Sequence, residues 1–270
     1  MPPNSFSDLF SYITQLMTQD AATFEVMGTK LYASFTVILV VWFGIEWAFA
    51  GGMRMERFVN MMLMISFGFA MTRYYSHPIP GLGVSFYHLV IDQGTVLANQ
   101  LNHAMATKVF ERLDLVYMGL ETPGVSAVFN VIEVVRWLIT VLAIIAAEGT
   151  AFLVISFGYV AVAVCVLLGP ILIPFFIVPK MEWVFWGWLR ALLQYSFYPV
   201  VANAYVYVFG SMLINFVDKA GTDFSGPRVA VLFVPFLFLL FAFTFGLLKV
   251  PSLVNSIFSG KSGESVVPGL

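Results

Sequence analysis

The chain has 270 residues, of which 60% are hydrophobic and only 10% are charged, and its formal net charge at pH 7 is -2. Because charged residues make up about a quarter of an ordinary soluble domain, this composition excludes a soluble globule and indicates an all-α protein that crosses a membrane several times. The 13 basic residues are scattered along the chain, so no tract can neutralise nucleic-acid phosphates, and direct nucleic-acid binding is not predicted.

The N-terminal segment, residues 1–30, has the pattern of an amphipathic helix. Phe6, Leu9 and Ile13 follow the three- and four-residue spacing of one helix face, and Leu16 continues it. No positively charged stretch precedes an apolar core here, so a cleaved signal peptide is not predicted. We predict a helix that lies on the bilayer surface, with docking onto a partner protein as the alternative.

Five later runs are candidates for membrane crossings, each of which needs about 20 apolar residues. They are residues 31–53, 58–72, 149–179, 191–217 and 229–248. The second run is short but is bracketed by Arg57 and Arg73, whose side chains can extend to the membrane surface. We therefore predict about five crossings.

A sixth run, 128–149, is interrupted by Glu133 and Arg136. Only residues 137–147 are free of charge, and this length of helix is too short to cross a bilayer. The run crosses only if the two charges, which are three residues apart, neutralise one another inside a protein bundle. Six crossings are the alternative to five.

The distribution of Lys and Arg predicts the orientation. Arg54 and Arg57 lie in the loop between the first two crossings. The N-terminal segment instead carries Asp8 and Asp20, so we place the N-terminus outside. Five crossings then put both the region around Lys180 and the C-terminus inside.

Residues 73–128 follow the second crossing and are predicted to lie outside as one or two amphipathic helices. Apolar residues recur about every four positions with polar residues between them, at Val90, Leu97, Leu101, Met105, Val109 and Leu113. Since a single surface helix is weakly stable by itself, we expect this apolar face to be buried against another protein, another subunit or the membrane surface.

These patterns divide the chain into five segments. They are an N-terminal amphipathic segment (1–30), the first two crossings (31–72), an outer helical loop (73–128), a membrane core with a proline-broken hairpin (129–250) and a C-terminal tail (251–270) that we expect to be weakly ordered.

Three charged residues stand inside apolar runs, namely Glu46, Glu133 and Arg136. Charges within a membrane crossing are costly and often functional. Glu46 is read as a carboxyl hydrogen-bonded within the bundle, with a polar lining or a contact between subunits as the alternative, and Glu133 and Arg136 are read as a structural pair. These charges also leave open a small polytopic transporter or a channel subunit that conducts ions or protons.

No candidate set of catalytic residues, metal ligands or cofactor-binding residues is visible in the sequence. His77, His88 and His103 are too dispersed for a metal site, and Cys165 is the one cysteine. We therefore predict neither an enzyme nor a cofactor.

The run from Gly149 to Pro179 is uncharged and longer than one crossing requires. Gly169 and Pro170 are predicted to break its helix, and a short arm rich in proline follows. Tryptophan and basic residues come next, which favours a bend at the headgroup layer. We call residues 169–190 the elbow. Its candidate residues are Gly169, Pro170, Pro174, Phe175, Phe176, Pro179, Lys180, Trp183, Trp188 and Arg190.

The order of these residues, followed by Leu189, Tyr195, Tyr198 and Pro199, resembles the TrbL and VirB-type polytopic inner-membrane component of bacterial type IV secretion and conjugation machines. The motif similarity covers about residues 150–215. One departure is that Lys180 stands alone before Met181 and Glu182, where family members often carry several basic residues.

The resemblance implies a structural subunit of the bacterial inner membrane that assembles within membrane lipid as a ring, a homopentamer. Its implied partners are a periplasmic stalk of minor pilin, the pilin itself, inner-membrane scaffold subunits and the secretion ATPases that hydrolyse ATP. The ring would support pilus assembly and the route of the substrate. The part of the outer loop expected to meet the stalk contains Leu97, Gln100, Leu101, Asn102 and Met105.

Overall fold

The structure is a computed structural model and describes residues 5–49, 55–120, 131–220 and 227–259. Within these ranges it contains helices, turns and bends and no strand, which confirms the predicted all-α fold. The elements in chain order are α1 (Ser5–Phe49), α2 (Met55–Arg73), α3 (Phe86–Gly119), α4 (Val131–Leu172), a 3₁₀ helix (Ile173–Ile177), α5 (Glu182–Ala220) and α6 (Pro227–Ser259).

Four of the described helical segments are long and apolar enough to cross a membrane. They are Ala22–Phe49, Val131–Ile177, Glu182–Lys219 and Leu232–Phe258. The prediction of a polytopic membrane protein is therefore confirmed. Helix α2, which contains the predicted crossing 58–72, is not among the four. Its 19 residues nevertheless give a helix of about 28 Å, close to the thickness of a hydrocarbon core.

Several helices are longer than the sequence predicted. The described part of segment 1–30 and the first crossing form one helix, because no proline interrupts α1. Residues 131–149 of the doubtful sixth run are likewise continuous with the run that follows, in α4. A single continuous helix crosses once. The alternative in which runs 128–149 and 149–179 cross separately is therefore wrong. Helix α6 also continues past Pro251 to Ser259, within the expected tail.

The chain folds into two compact units. Unit 1 comprises Met1–Gln93 and Tyr159–Ser196, and unit 2 comprises Gly94–Gly158 and Phe197–Leu270. Unit 1 contains α1, α2 and the elbow, and its core is a cluster of buried apolar side chains from α2, the connection that follows it, α4, α5 and the 3₁₀ helix. The cluster consists of Met71, Tyr75, Val162, Val166, Ile173, Phe185, Trp188 and Leu192.

Unit 2 is a bundle to which α3, α4, α5 and α6 contribute. Val109 of α3 is fully buried beside Gly210 of α5, where a Cβ would lie 2.5 Å from Val109 Cγ2. Further along the same helices, Arg112 forms an ion pair with Asp218 at 3.3 Å. The second contact involves later residues than the first on both α3 and α5, so the two helices run parallel in this unit.

Candidate functional site

The elbow begins slightly later than the sequence predicted. Helix α4 continues through Gly169 and Pro170 to Leu172 and then tightens into the 3₁₀ helix. Pro174 lacks the N–H that the next α-helical turn would require, which accounts for the change at this point. The predicted break at Gly169 and Pro170 is therefore wrong by about one turn.

A tight turn connects the 3₁₀ helix to α5. The amide of Met181 donates to the carbonyl of Val178 at 3.0 Å, with Pro179 and Lys180 in the two central positions. Lys180 has φ +73°, which is the left-handed conformation that the third position of a type II turn requires. Glycine usually occupies that position, so the lysine holds a conformation that is unfavourable for an L-residue.

Pro170 leaves the carbonyl of Val166 without its usual amide donor, because residue 170 has no N–H. The Tyr75 hydroxyl donates to that carbonyl at 2.6 Å. Tyr75 is almost completely buried, and burial raises the pKa of Tyr75 well above its ordinary value, with nearby Tyr87 as a smaller cause. The phenol therefore stays protonated and remains a donor. The Tyr75 hydroxyl thus replaces the missing amide donor, which explains how α4 can continue past Pro170.

A second ring lies over the same turn of α4. The indole N–H of Trp188 donates to the carbonyl of Cys165 at 2.7 Å. Only glycine fits beneath the two rings, since a Cβ on Gly169 would lie 2.1 Å from Tyr75 Oη and 2.8 Å from Trp188 Cζ2. We call Tyr75, Gly169 and Trp188 the clasp. It joins α4, α5 and the connection between α2 and α3.

The remaining two prolines of the elbow also free carbonyl groups. Pro174 cannot donate to the carbonyl of Pro170, and Gly28 of α1 lies against that oxygen, so close that a Cβ there would be 2.2 Å away. A backbone C–H group that approaches an oxygen in this way forms a weak hydrogen bond. Pro179 cannot donate to Phe175, whose carbonyl instead accepts from the amide of Val178 at 3.2 Å.

Two phenylalanines of the 3₁₀ helix fix the elbow between α1 and α2. Phe175 packs edge-on against Phe35 of α1 with ring centroids 5.4 Å apart. Phe176 packs against Phe67 of α2 at 5.6 Å and against Phe185 of α5 at 5.0 Å. The elbow is thus a packed junction of helices within unit 1.

The tryptophans of the elbow separate into two groups. Trp183 is 72% exposed and Trp186 is 52% exposed, and Lys180 and Arg190 are exposed as well. An exposed mixture of indole and basic groups suits a headgroup layer. Trp188 is only 5% exposed. Its side chain is therefore packed inside the protein, where its N–H is used in the clasp.

The clasp also bears on the predicted orientation. Tyr75 stands two residues after the end of α2 and touches α4 and α5 beside the elbow. The charge distribution predicted that the chain after Arg73 lies outside and that Lys180 lies inside. The contacts within unit 1 place the connection after α2 beside the elbow, which contradicts that separation.

The three predicted intramembrane charges are not brought together. Glu46 lies near the end of α1 and forms an ion pair with Arg57 of α2. Glu133 and Arg136 lie in the first turns of α4, and the ion pairs of the described residues do not include one between them. Glu148 was not among the predicted site residues, yet its Oε1 is buried without a hydrogen-bond partner among the described residues.

The candidate stalk residues Leu97, Gln100, Leu101, Asn102 and Met105 all lie within α3, and their side chains fall outside the described part of the structure. Farther along the same apolar stripe, the side chains of α3 are fully buried within unit 2, at Val109, Leu113 and Val116. From Val109 onward, therefore, this stripe is covered by the protein's own bundle.

Among the described residues, no group of three or more His, Cys, Asp or Glu side chains could hold a metal ion. The role that the elbow can play is structural. The elbow satisfies the backbone groups that its prolines free and packs against α1, α2 and α5.

Comparison with known proteins identifies the family. A search of curated proteins gives no match. A family model described as TrbL/VirB6 plasmid conjugal transfer protein matches residues 36–248, which include α2 to α5, most of α6 and the whole elbow. A match over this share of the chain is consistent with the crossings and with the elbow described above. The chain is a member of the TrbL/VirB6 family and so a membrane component of a conjugal transfer apparatus.

Proposed function

We propose that this protein is a structural, ring-forming component of a conjugation or type IV secretion machine in the bacterial inner membrane. The family match carries this proposal. The ring supports pilus assembly on its periplasmic side and contributes to the route that the substrate takes across the membrane. ATP hydrolysis is assigned to partner ATPases.

Self-association is supported by the exposure of α1. Its apolar side chains are broadly uncovered in the single chain, among them Val37, Ile38 and Trp42. Lipid covers part of such a surface and other copies of the chain can cover the rest. A homopentamer is the stoichiometry implied by the family resemblance.

The proposed partners are the minor-pilin stalk, pilin, inner-membrane scaffold subunits and the secretion ATPases. Contact with the stalk is assigned to α3, in the region of Gln100 and Asn102. Since the apolar stripe of α3 is buried in unit 2 from Val109 onward, the contact must use the part of the helix that precedes Val109 or the opposite face.

An N-terminus in the periplasm is supported by the charges of the sequence, in which Arg54 and Arg57 follow the first crossing. A C-terminus in the cytoplasm requires an odd number of crossings, which is five if α2 crosses with α1, α4, α5 and α6 and α3 stays outside the membrane. The contacts of Tyr75 with α4 and α5 beside the elbow do not fit that arrangement, so we propose only the periplasmic N-terminus.

The decisive experiment is deletion of the gene in a conjugating donor, with plasmid transfer as the measurement. We expect transfer to be lost and to return when the wild-type gene is supplied in trans. A control plasmid that uses an unrelated transfer apparatus should be unaffected. Undiminished transfer by the deletion strain would refute the proposed function.

Cross-linking tests the proposed partners separately. A photo-reactive residue at Gln100 or Asn102 should give a product with the stalk protein in the intact machine. The same group at Phe238, an exposed residue of α6, is the matched control and should give no such product. Equal yields from both helices would contradict the assignment of the stalk contact to α3.

A further inference from the structure

Helix α3 is placed at membrane depth by three contacts inside unit 2. Residues 229–248 of α6 are free of charge, and twenty residues of helix extend about 30 Å, the thickness of a hydrocarbon core. Phe216 of α5 stacks on Phe236 with centroids 6.1 Å apart. The Tyr205 hydroxyl donates to the carbonyl of Ala242 at 3.0 Å. The part of α5 between Tyr205 and Phe216 thus lies beside the middle of the apolar stretch.

Gly210 is in that part of α5, and Val109 of α3 is packed directly against it. Val109 therefore lies within the apolar layer, about 12 Å along α5 from Asp218, the first charged residue after the run 191–217. Because α3 and α5 run parallel, residues 94–108 extend along α5 in one direction and residues 110–119 in the other. At about 1.5 Å per residue these arms measure about 22 and 15 Å, and each is long enough to reach a membrane surface.

The outward face of α3 does not suit lipid. Lys108 and Glu111 flank Val109 and are both exposed in the single chain. A lysine side chain can reach about 6 Å toward a surface, which is about half of the distance along α5 from Gly210 to Asp218. Neither forms an ion pair with another described residue. Arg112 differs, because its charge is paired with Asp218.

We propose that α3 crosses the membrane within the bundle and that its outward face, carrying Lys108 and Glu111, lines a water-filled conduit for a charged substrate. This inference rests on the proposed function, since a conduit of this kind is formed between several copies of the chain. Water in a conduit solvates both charged groups.

A crossing by α3 changes the topology. If α3 crosses together with α1, α2, α4, α5 and α6, six helices cross and the two termini lie on the same side. This six-helix arrangement uses α3, whereas the six-crossing alternative in the sequence used the separate run 128–149. It agrees with the position of Tyr75 beside the elbow, because the connection after α2 then lies on the same side as the connection between α4 and α5.

Labelling of single cysteines tests the crossing. In a Cys165→Ser background, Leu89→Cys and Met118→Cys place exposed thiols near the two ends of α3. A bulky membrane-impermeant maleimide is added to sealed vesicles of either orientation. We expect Leu89→Cys to react from one side and Met118→Cys from the other. Reaction of both from the same side would overturn the crossing.

Labelling also tests the lining. Lys108→Cys and Glu111→Cys should react with a small water-soluble methanethiosulfonate about tenfold faster than Phe238→Cys or Phe245→Cys, because a thiol facing lipid forms little thiolate. The two phenylalanines of α6 are exposed in the single chain. Equal, slow rates at all four positions would place the α3 face in lipid or in a dry interface and overturn the proposal.

A second measurement does not depend on the cysteine variants. If Lys108 and Glu111 faced lipid, Lys108→Leu and Glu111→Leu would raise the thermal midpoint of the protein. If Lys108 and Glu111 are in contact with water, we expect the same two variants to have an unchanged or lowered thermal midpoint and reduced plasmid transfer. A raised midpoint with normal transfer would refute the lining. A chain that labels as expected but is dispensable for transfer would refute the proposed function alone.

Discussion

The clasp predicts a large effect from one added methyl group, Gly169→Ala. The new Cβ would lie 2.1 Å from Tyr75 Oη and 2.4 Å from Tyr75 Cζ, so the ring of Tyr75 must move and its hydrogen bond to Val166 must break. The carbonyl of Val166 is then left without a donor, because Pro170 supplies none.

The magnitude follows from three opposing effects. An unsatisfied buried carbonyl costs about 1–3 kcal/mol, and overpacking costs about 1–3 kcal/mol more. Replacing glycine by alanine in a helix returns about 1 kcal/mol. We expect Gly169→Ala to lower the free energy of unfolding by about 3 kcal/mol, which corresponds to a fall of about 6–12 °C in the thermal midpoint.

The assay is thermal unfolding of the purified protein in detergent, with every variant heated at the same rate. Gly149→Ala is the matched control. Gly149 lies on the same helix, and a Cβ there would meet nothing within 4 Å. The control should be neutral or slightly stabilising, by up to about 1 kcal/mol. Equal midpoints for Gly169→Ala and Gly149→Ala would refute the close packing of the clasp.

Tyr75→Phe separates the hydrogen bond from the packing. It removes the hydroxyl and keeps the ring, and should cost about 1–3 kcal/mol. Combined with Gly169→Ala, it should cost less than the sum of the single changes by about that amount, because the hydrogen bond can be lost only once. Strict additivity would show that the Tyr75 hydroxyl does not contribute to the effect of Gly169→Ala.

Three further predictions concern the same unit. Gly28→Ala should destabilise the protein by about 2 kcal/mol or more, because its Cβ would meet the backbone carbonyl of Pro170. Gly44→Ala on the same helix is the control, since a Cβ there meets nothing within 4 Å. Similar thermal midpoints for the two variants would contradict the contact. Lys180→Gly should stabilise the protein by about 1 kcal/mol, because glycine adopts the positive φ of residue 180 without strain. Lys180→Ala should give no such rise in the thermal midpoint, and a rise with alanine would argue against backbone strain. The contribution of Tyr75 to the free energy of unfolding should be constant below about pH 10, the pKa of an unfolded tyrosine, and fall above it, since the folded pKa of Tyr75 is raised. Above pH 10, Tyr75→Phe should lose less stability than the wild type, and an identical loss would exclude Tyr75 as its source.

Much of the fold could be predicted from composition and apolar runs. The 60% hydrophobic content required crossings, and the runs 191–217 and 229–248 lie within α5 and α6. Helix ends were harder to predict. Pro170 was expected to break α4, but the cost of a proline depends on whether a neighbour can satisfy the freed carbonyl, and Tyr75 is 91 residues away from Val166 in the chain.

The elbow itself was predicted as a region and its internal roles were not. The pattern of prolines and aromatic residues identified residues 169–190, but it could not tell the exposed Trp183 from the buried Trp188. Both are indoles within one short stretch, and only the carbonyl of Cys165 decides which one turns inward. Gly28 carried no signal beyond that of any small residue in a helix, because its role depends on the approach of Pro170.

One geometry recurs in both units and explains why several of these roles could not be predicted. In each case a tyrosine hydroxyl lies within hydrogen-bond distance of the carbonyl three residues before a helix glycine, and the ring or hydroxyl lies against the bare Cα; the hydroxyl of Tyr205 is shared with the carbonyl of Ala242. The triplets of donor, acceptor and glycine are Tyr32, Ile65 and Gly68; Tyr75, Val166 and Gly169; and Tyr205, Phe243 and Gly246.

The recurrence has a physical origin in the absence of water. A tyrosine hydroxyl in a hydrocarbon layer must find an acceptor in the protein, and helix carbonyls are the acceptors at hand. Side chains normally shield those carbonyls, so a ring can reach one only where a neighbouring residue lacks a Cβ. Burial of apolar surface gives little reason for one helix to prefer another inside lipid. A hydrogen bond from a tyrosine beside a glycine is directional, and in these three places it joins α1 to α2, the connection after α2 to α4, and α5 to α6.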